Sequence, residues 1–278
     1  MKLVARGITI EWPRRPLIMG IVNLVADSFS GDGIVEIDRA IKRAKEMVCE
    51  GADIIDIGAE SARTNRAAIS EDEEAAQLVR FIEGWQREIR NPPPLLSINT
   101  WRPAVARVAL AAGGHILNDI GGLPVDENAR ICAATGAALL IMHTRGEPKV
   151  RHTHVAYDDV LARIGDFFLE KLALAEAAGI ARDSILLDPG IDFAKQRDDN
   201  LRIYRSLDRF AHFARPLLLP VSRKTVIGDA LGIKNPASRD AGTVACIVRG
   251  MLGGAHVFRV HNVRAAAQAV RMIEAVMS

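Results

Sequence analysis

Eight short apolar runs in this chain end on polar or charged residues, and these endings together form one chemical inventory. Each run is followed by a helix-length segment, so the endings recur at the same structural point along the chain. The inventory contains amides, carboxylates, imidazoles, a lysine and a guanidinium, which are groups that bind polar heterocycles and anions. In chain order the runs end at Asn23, between Asp56 and Ser61, at Asn99, at Asn118 and Asp119, at His143, at Asp188, at Lys224, and at Arg259 with His261.

Asp188 and Asn118 have the chemistry to read the edge of a heterocycle. Asp188 directly follows an apolar run, where a carboxylate has little water and must find donors. A ligand with adjacent N–H groups, such as the amino-pyrimidinone edge of a pterin or guanine, would satisfy both carboxylate oxygens. Asn118 offers a donor and an acceptor together. The alternative for Asp188 is a helix cap or a salt bridge in the same region.

A second group of residues suits an anion such as phosphate. Arg259 and His261 are separated by Val260, so on a strand their side chains project to the same side. Asn23 can add a donor or, through its carbonyl, a magnesium ligand. Arg63, in the segment after the second run, can reach the same anion, although a solvated surface arginine explains this residue equally well.

Two residues are candidate contacts for an aromatic ligand. Lys224 lies in the SRKT segment, residues 222–225, beyond the seventh run, and can lie along a ring and donate to its carbonyl or ring nitrogen. Phe193, after the sixth run, can pack against a flat second substrate. Taken singly, Phe193 suits a core position and Lys224 a solvent-exposed one, but their joint location favours binding.

The alternation of apolar runs with helical segments predicts the fold that gathers these residues. Strands buried on both faces suit a parallel sheet, and eight strand–helix units predict a single (β/α)8 barrel spanning residues 1–278 as one domain. The active site of such a barrel lies at the carboxyl ends of its strands, so the polar endings should converge on one mouth. Residues 2–12 predict a hairpin, with Gly7 at its turn, that closes the opposite end.

Three long segments on the predicted catalytic face, residues 24–35, 61–70 and 144–156, have the length of binding loops. The first two contain small residues and few apolar anchors, which predicts that they are mobile without ligand. Ser70 and Glu73 predict a capping box at the start of the helix after the second strand.

Composition narrows the class of protein. A net charge of +2, with 49% hydrophobic and 25% charged residues, is typical of a globular protein and does not favour a nucleic-acid or membrane partner. No apolar stretch approaches the length of a membrane span, and the first residues show no signal pattern, so we expect a cytoplasmic protein. Cys49, Cys132 and Cys246 fall in predicted helices without a CxxC pair, and we expect buried free thiols.

Seven separated motifs extend over nearly the whole chain, from about Leu17 to about Ala275. They are MGIVNLVADSFSGDG, GADIIDIGAESAR, SINTWRPAVARVALAAGGHILNDIGGL, LIMHTRGEPK, LLDPGIDFAK, VSRKTVIG and VFRVHNV. In order and spacing they resemble the motifs of the dihydropteroate synthase family. The resemblance implies a (β/α)8 barrel and a homodimer. It also implies a reaction of folate biosynthesis, which joins 6-hydroxymethyl-7,8-dihydropterin pyrophosphate to para-aminobenzoate and releases pyrophosphate with help from Mg²⁺.

The resemblance also implies a role for each matching residue. Asn23 matches the asparagine that binds magnesium and pyrophosphate, and Lys224 matches the lysine between the two substrates. Arg259 is similar to the residue that packs on the pterin and contacts pyrophosphate. The remaining matches are Asn118 and Asp188 at the pterin edge, His261 at pyrophosphate, and Phe193 with Ser222 on the aminobenzoate side.

Several positions depart from the motifs that the family usually carries. The third strand normally ends on aspartate, and here it ends on Asn99, which keeps the shape of a catalytic carboxylate without its charge. The other departures are Val25 and Ala26 for Thr-Pro, Ala62 for threonine, and Asp192, Ala194 and Pro220 for glycines. Two alternatives therefore stay open: a pterin-binding paralogue that acts as carrier or regulator, and a pterin-dependent methyltransferase. The retained segments 222–225 and 259–261 disfavour the latter, because a methyl carrier has no pyrophosphate to expel.

Overall fold

The computed structural model describes residues 1–24, 33–60, 68–89, 94–146, 148–150 and 155–278, with the backbone alone for residues 33–36. The chain begins with an antiparallel hairpin, strands β1 (Lys2–Ala5) and β2 (Ile8–Glu11), whose turn contains Gly7 at a φ of +79°. The left-handed backbone at this position explains why a glycine marks the turn. The predicted hairpin is confirmed.

Eight parallel strands follow and form one sheet that curves into a barrel. They are β3 (Leu17–Asn23), β4 (Ile54–Gly58), β5 (Leu95–Asn99), β6 (Ile116–Asp119), β7 (Ala138–Met142), β8 (Ile185–Asp188), β9 (Leu218–Pro220) and β10 (Val257–Val260). Neighbouring strands pair in the order β8-β7-β6-β5-β4-β3-β10-β9. A bridge between Leu187 and Leu217 joins the two outer strands, and the Leu187 N–H donates to the Pro216 carbonyl at 3.0 Å. The predicted (β/α)8 barrel is confirmed.

The barrel interior is apolar at one end and polar at the other. Side chains alternate along each strand, so every second residue points inward. The inward apolar layer packs against Leu3 and Ala5 of the hairpin, which therefore closes this end as predicted. Its barrel members are Leu17, Met19, Ile54, Leu95, Ile116, Ala138, Leu140, Leu186, Leu218 and Val257. Polar residues lie at seven inward positions closer to the carboxyl ends: Asn23, Asp56, Ser97, Asn99, Asn118, Asp188 and Arg259.

Helices pack on the outside of the sheet. They are α1 (Gly33–Glu50), α2 (Glu71–Glu88), α3 (Pro103–Ala112), α4 (Glu127–Thr135), α5 (Val160–Ala177), α6 (Arg197–Arg205), α7 (Thr225–Leu231), α8 (Asp240–Leu252) and α9 (Val263–Met277). Ser70 caps α2, because its hydroxyl accepts the N–H of Glu73 at 3.1 Å, which is one of the two hydrogen bonds of the predicted capping box. The strand β9 is followed by two helices, and the short α7 begins directly after Lys224.

The three cysteines are free and lie in helices as predicted, but they are not all buried. Cys132 is buried on α4, Cys246 is half-buried on α8, and Cys49 is exposed on α1. Cys49 is exposed because the inward stripe of α1 is already formed by Ala40, Ile41, Ala44 and Met47 at helical spacing. Within the described residues, no helix is long and apolar enough to cross a membrane.

Candidate active site

Asp56 is the centre of a hydrogen-bond network across the polar half of the barrel. One carboxylate oxygen, Oδ1, accepts the hydroxyl of Ser97 at 2.6 Å and the amide Nδ2 of Asn118 at 3.1 Å. The other oxygen, Oδ2, accepts both Nε and Nη2 of Arg259 at 2.7 Å. Asp56 is 1% exposed, so these contacts take place away from water, where charged hydrogen bonds are strong.

The sequence placed Asp56 in the polar inventory but assigned it no role. Asp56 is a charged residue inside an apolar strand. It lies two residues after Ile54 and therefore points inward, as Ile54 does. Because a buried carboxylate requires donors, that position indicates a partner inside the barrel. Arg259 is this partner. Asp56 on β4 thereby holds the guanidinium of Arg259, which is on β10. The Arg259 side chain is still 21% exposed, so part of it is open to the mouth.

Asp188 and Asn118 lie on the inner wall as predicted, on β8 and β6. Asp188 is 3% exposed and Asn118 is 2% exposed. The Oδ1 of Asp188 accepts the N–H of Gly190 at 2.6 Å. One oxygen therefore caps the following turn, and each carboxylate oxygen still has a lone pair that can accept a ligand N–H group. Asn118 directs its Nδ2 to Asp56 rather than outward.

Burial raises the pKa of Asp188 to about 6, against the lowering effects of the Gly190 hydrogen bond and of Lys224, Lys195 and Arg259. Lys224 and Arg259 therefore lie close enough to Asp188 to stabilise its charged form. A carboxylate with such a pKa is a functional-site candidate, because its charge changes near neutral pH.

This pKa predicts that pterin affinity depends on pH. An ionised Asp188 accepts ligand N–H groups, and protonation turns an acceptor into a donor. The dissociation constant of a pterin should therefore rise roughly tenfold between about pH 8 and about pH 5, because the ionised fraction of Asp188 falls as the pH drops below its pKa. Titration calorimetry over this range measures it. In Asp188→Asn the binding should be weak and flat with pH, and a pH profile like that of the wild type would contradict the assignment.

His261 and Ser222 are joined at the end of β10. Nδ1 of His261 lies 2.8 Å from the Ser222 hydroxyl oxygen, which also accepts the backbone N–H of His261 at 3.1 Å. The hydroxyl can donate to Nδ1 while it accepts from the backbone, an arrangement in which Nε2 carries the proton of the neutral ring. Ser222, matched by resemblance to the aminobenzoate side, thus contacts the residue expected at pyrophosphate.

Lys224 and Phe193 lie together at the mouth. The ammonium of Lys224 is 4.9 Å from the centroid of the Phe193 ring, and it donates to the carbonyl of Ile191 at 2.8 Å. Both residues are half-buried. The alternatives of a core phenylalanine and a fully solvated lysine are therefore wrong, and the predicted joint location is confirmed.

Lys195 is buried and holds the turn that carries Phe193 through hydrogen bonds to its backbone. Its ammonium donates to the carbonyls of Gly190 and Phe193 at 2.9 and 3.0 Å, and it lies 2.8 Å from Nδ1 of His143. Burial lowers the pKa of Lys195 to about 7 and that of His143 to about 2, in the second case together with the charge of Lys195. His143 is therefore neutral and serves as an acceptor for Lys195.

Asn99 ends β5 on the inner wall, close to Gly58 of the neighbouring strand. Its Oδ1 is buried and has no hydrogen-bond partner within the described part of the chain. A Cβ atom at position 58 would meet the Cβ of Asn99 at 3.3 Å, so the glycine leaves room for this side chain. An unsatisfied amide oxygen in the polar half of the barrel can accept a hydrogen bond from a ligand.

Asn23 lies at the exposed end of β3, and Arg63 lies outside the described residues. Most of the predicted loops 24–35 and 61–70 also lies outside them, although α1 already begins at Gly33. Glu60 precedes the second loop, is 7% exposed, and accepts the N–H of Ile69 at 2.9 Å and the ammonium of Lys149.

The described residues contain no group of three or more His, Cys, Asp or Glu side chains that could hold a metal. A hard cation bound mainly by diphosphate oxygens and water needs few protein ligands, and the amide oxygen of Asn23 fits that requirement.

Comparison with known proteins agrees with this geometry. Residues 19–261 match the family model described as pterin binding enzyme. The chain is 38% identical to dihydropteroate synthase of Escherichia coli, with 100% of this chain and 97% of the relative covered. It is 36% identical to the Bacillus subtilis enzyme, with 97% and 91% covered.

Solved structures give the same result. The Yersinia pestis dihydropteroate synthase with a sulfonamide drug has a TM-score of 0.89 and 37% identity, covering 100% of this chain and 99% of that one. The Xanthomonas albilineans enzyme with 4-aminobenzoic acid has a TM-score of 0.90 and 33% identity, with the same coverage. The polar interior of the barrel, the family model and the full-length relatives agree, and the chain belongs to the dihydropteroate synthase family.

Proposed function

We propose that this chain condenses 6-hydroxymethyl-7,8-dihydropterin pyrophosphate with para-aminobenzoate to give 7,8-dihydropteroate and pyrophosphate in folate biosynthesis. The observation that carries this proposal is the polar half of the barrel, where the buried carboxylate of Asp188 lies near the cations of Lys224 and Arg259. There Asp56 binds both Asn118 and Arg259. One wall accepts heterocycle N–H groups and another holds an anion. The related Xanthomonas structure with 4-aminobenzoic acid supports the second substrate.

The pterin edge would bind to Asp188 and Asn118. Asp188 accepts N–H groups of the aminopyrimidinone ring through its ionised carboxylate. The side-chain carbonyl of Asn118 stays available for a donor, since its Nδ2 is held by Asp56. Because both groups are held by the sheet, the ring is oriented before any bond changes.

The leaving diphosphate would bind to Arg259 and His261. The electron-rich dihydropterin expels pyrophosphate from its methylene carbon, and the protein mainly stabilises the separating charges. Arg259 is oriented by Asp56, so it needs little reorganisation when the negative charge develops. Asn23 would hold Mg²⁺ together with the diphosphate, and the ion would supply further neutralisation of that charge.

The arylamine would then attack the carbon cation. Phe193 would pack against the aromatic ring, and Lys224, near the Phe193 ring, would lie between the two substrates. No activated nucleophile on the protein is required, because the amine is the nucleophile. Catalysis consists of alignment and charge stabilisation.

The Asn99 amide, whose Oδ1 has no partner among the described residues, favours a second candidate, a pterin-binding carrier or regulator. A neutral amide at this position gives less stabilisation to a cation than a carboxylate, while pterin binding can remain. A pterin-dependent methyltransferase is less favoured, because Arg259 and His261 form an anion site that a methyl carrier does not need.

One assay separates these functions. The chain is incubated with the dihydropterin pyrophosphate and Mg²⁺, with and without para-aminobenzoate, while pyrophosphate release and dihydropteroate are followed. We expect both products, with pyrophosphate release that depends on the amine and falls when Mg²⁺ is chelated. Binding of the pterin without either product would instead support the carrier or regulator.

We also propose a homodimer that acts in the cytoplasm. The small residues of α8 allow close helix packing. Exposed apolar side chains lie at Leu252 on α8, at Leu231 on α7, and at Met272 and Val276 on α9. Three free cysteines are compatible with a reducing compartment. Light scattering at micromolar concentration should give twice the chain mass, and a monomer would contradict the dimer.

A further inference from the structure

The turn between β8 and α6 carries Phe193 between two residues with left-handed backbones. Asp192 has a φ of +67° and Ala194 a φ of +50°. Residues with a Cβ atom rarely adopt this conformation, and they keep it where the surrounding structure holds them. The contacts of Asp192 with the surrounding chain therefore hold this turn in its conformation.

The carboxylate of Asp192 binds the first turn of α7. Its Oδ2 accepts the N–H of Thr225, and its Oδ1 accepts the N–H of Val226 at 3.2 Å. The residue at the N-cap position of α7, Lys224, makes no side-chain cap hydrogen bond. Because the first N–H groups of a helix need acceptors, a carboxylate from another loop supplies the missing cap.

A second contact runs between the same two segments in the opposite direction. The Lys224 ammonium donates to the Ile191 carbonyl at 2.8 Å, one residue before Asp192. Asn200 of α6 holds Asp192 from behind, since its Oδ1 accepts the Asp192 N–H at 2.8 Å and its Nδ2 donates to Asp192 Oδ1 at 3.2 Å. One side chain thereby links the turn of Phe193, the helix α6 and the start of α7.

We propose that Asp192 is a positioning residue for the aromatic-amine substrate, an inference that rests on the proposed function. It acts through Phe193 and Lys224, whose separation and orientation depend on the two segments that its carboxylate joins. Without that carboxylate, the start of α7 loses two hydrogen bonds, and the Phe193 ring can shift relative to the Lys224 ammonium. Asp188 on β8 and Asn118 on β6 are held by the strand pairing of the barrel and are left in place.

Two variants distinguish the effect of the Asp192 backbone conformation from the effect of its carboxylate. Asp192→Gly relieves the left-handed strain, so it should fold well, but it removes both acceptors. Asp192→Asn tolerates the same backbone and keeps one side-chain oxygen. In Asp192→Gly we expect the KM for para-aminobenzoate to rise about tenfold, while that for the dihydropterin pyrophosphate stays within about twofold. Asp192→Asn should lie between wild type and Asp192→Gly.

Amide hydrogen exchange gives a readout that does not require catalysis. The Thr225 and Val226 amides should exchange about tenfold faster in Asp192→Gly, because they lose their acceptors. Asp159→Ala is the matched control. Asp159 accepts the N–H groups of Leu161 and Ala162 at the start of α5, at 2.9 and 3.2 Å, so this variant also removes the acceptor of two N–H groups at a helix start. This control should change neither KM.

The outcomes are distinct for the two proposals. No dihydropteroate from the wild type contradicts the proposed function, and exchange at Thr225 and Val226 still tests whether Asp192 holds α7. Unchanged exchange in Asp192→Gly overturns the inference whatever the activity. Faster exchange with an unchanged KM for para-aminobenzoate in an active enzyme also overturns it, because the cap would then have no part in binding the amine.

Discussion

Replacing Asp56 with alanine is expected to lower both the stability of the barrel and its rate of condensation. Asp56 is the shared acceptor of Ser97, Asn118 and Arg259, and its side chain is fully buried. Removing one partner of a buried ion pair costs about 3–5 kcal/mol, and the lower end applies here because Arg259 keeps some contact with water. Urea unfolding measures this loss.

The rate of condensation in Asp56→Ala should fall about a hundred- to thousandfold, as when a preorganised catalytic donor is lost. The reason is that Arg259 no longer has a fixed position when pyrophosphate leaves. Initial rates of pyrophosphate release, corrected for the folded fraction, measure the effect on kcat.

Asp53→Ala provides the matched control. Asp53 accepts Nη1 and Nη2 of Arg15 at 2.8 Å each, just before β4 and at the opposite end of the barrel. This variant also breaks an aspartate–arginine pair and should lose stability, but its kcat should stay within about twofold of wild type, because no substrate contact depends on it. Equal losses of kcat in both variants would show that Asp56 acts through stability alone.

Restoring a carboxylate at position 99 is expected to raise the rate. Asparagine reproduces the acceptor of an aspartate but not its charge, and the buried Asn99 Oδ1 has no partner among the described residues. In Asn99→Asp the step that develops positive charge should become about a hundredfold faster, while ground-state pterin affinity changes less. Single-turnover rates and the dissociation constant of the pterin measure the two quantities separately.

Asn128→Asp is the control for this gain. Asn128 is also a buried asparagine whose Oδ1 has no partner within the described residues, but it lies on α4 and binds Asp119 and the Trp101 carbonyl. A carboxylate there should destabilise the fold without any increase in rate. If Asn99→Asp binds pterin but releases no detectable pyrophosphate, the chain is a pterin-binding protein. If wild-type activity is already high and Asn99→Asp lowers it, the role assigned to charge at this position is wrong.

The architecture and most members of the site could be read from the sequence. Eight apolar runs alternating with helical segments indicate parallel strands, and the barrel then requires their carboxyl ends to meet. The common direction of the parallel strands therefore places Asn118, Asp188, Lys224 and Arg259 at one end of the barrel, although they are far apart in the chain. Their individual contacts are not required for this prediction.

The contacts within the site depend on tertiary structure. Asp56 meets Arg259 across 203 positions of sequence, and no local pattern shows which of several inward cations a buried carboxylate will bind. The Ser222 hydroxyl bonds to His261, although the resemblance had matched it to the other substrate. Such pairings depend on distances between side chains on different strands, which strand patterns leave undefined.

Asp192 shows the same division at one residue. From the sequence it was a departure from glycine that altered the backbone of a loop. In the folded chain its left-handed backbone and its hydrogen bonds to Thr225 and Val226 occur together, so the side chain offsets the strain that it introduces. The sequence identifies Asp192 as an unusual residue. The N–H groups that its carboxylate binds lie on α7, which only folding brings near, because hydrogen bonds between loops and helices do not follow sequence spacing.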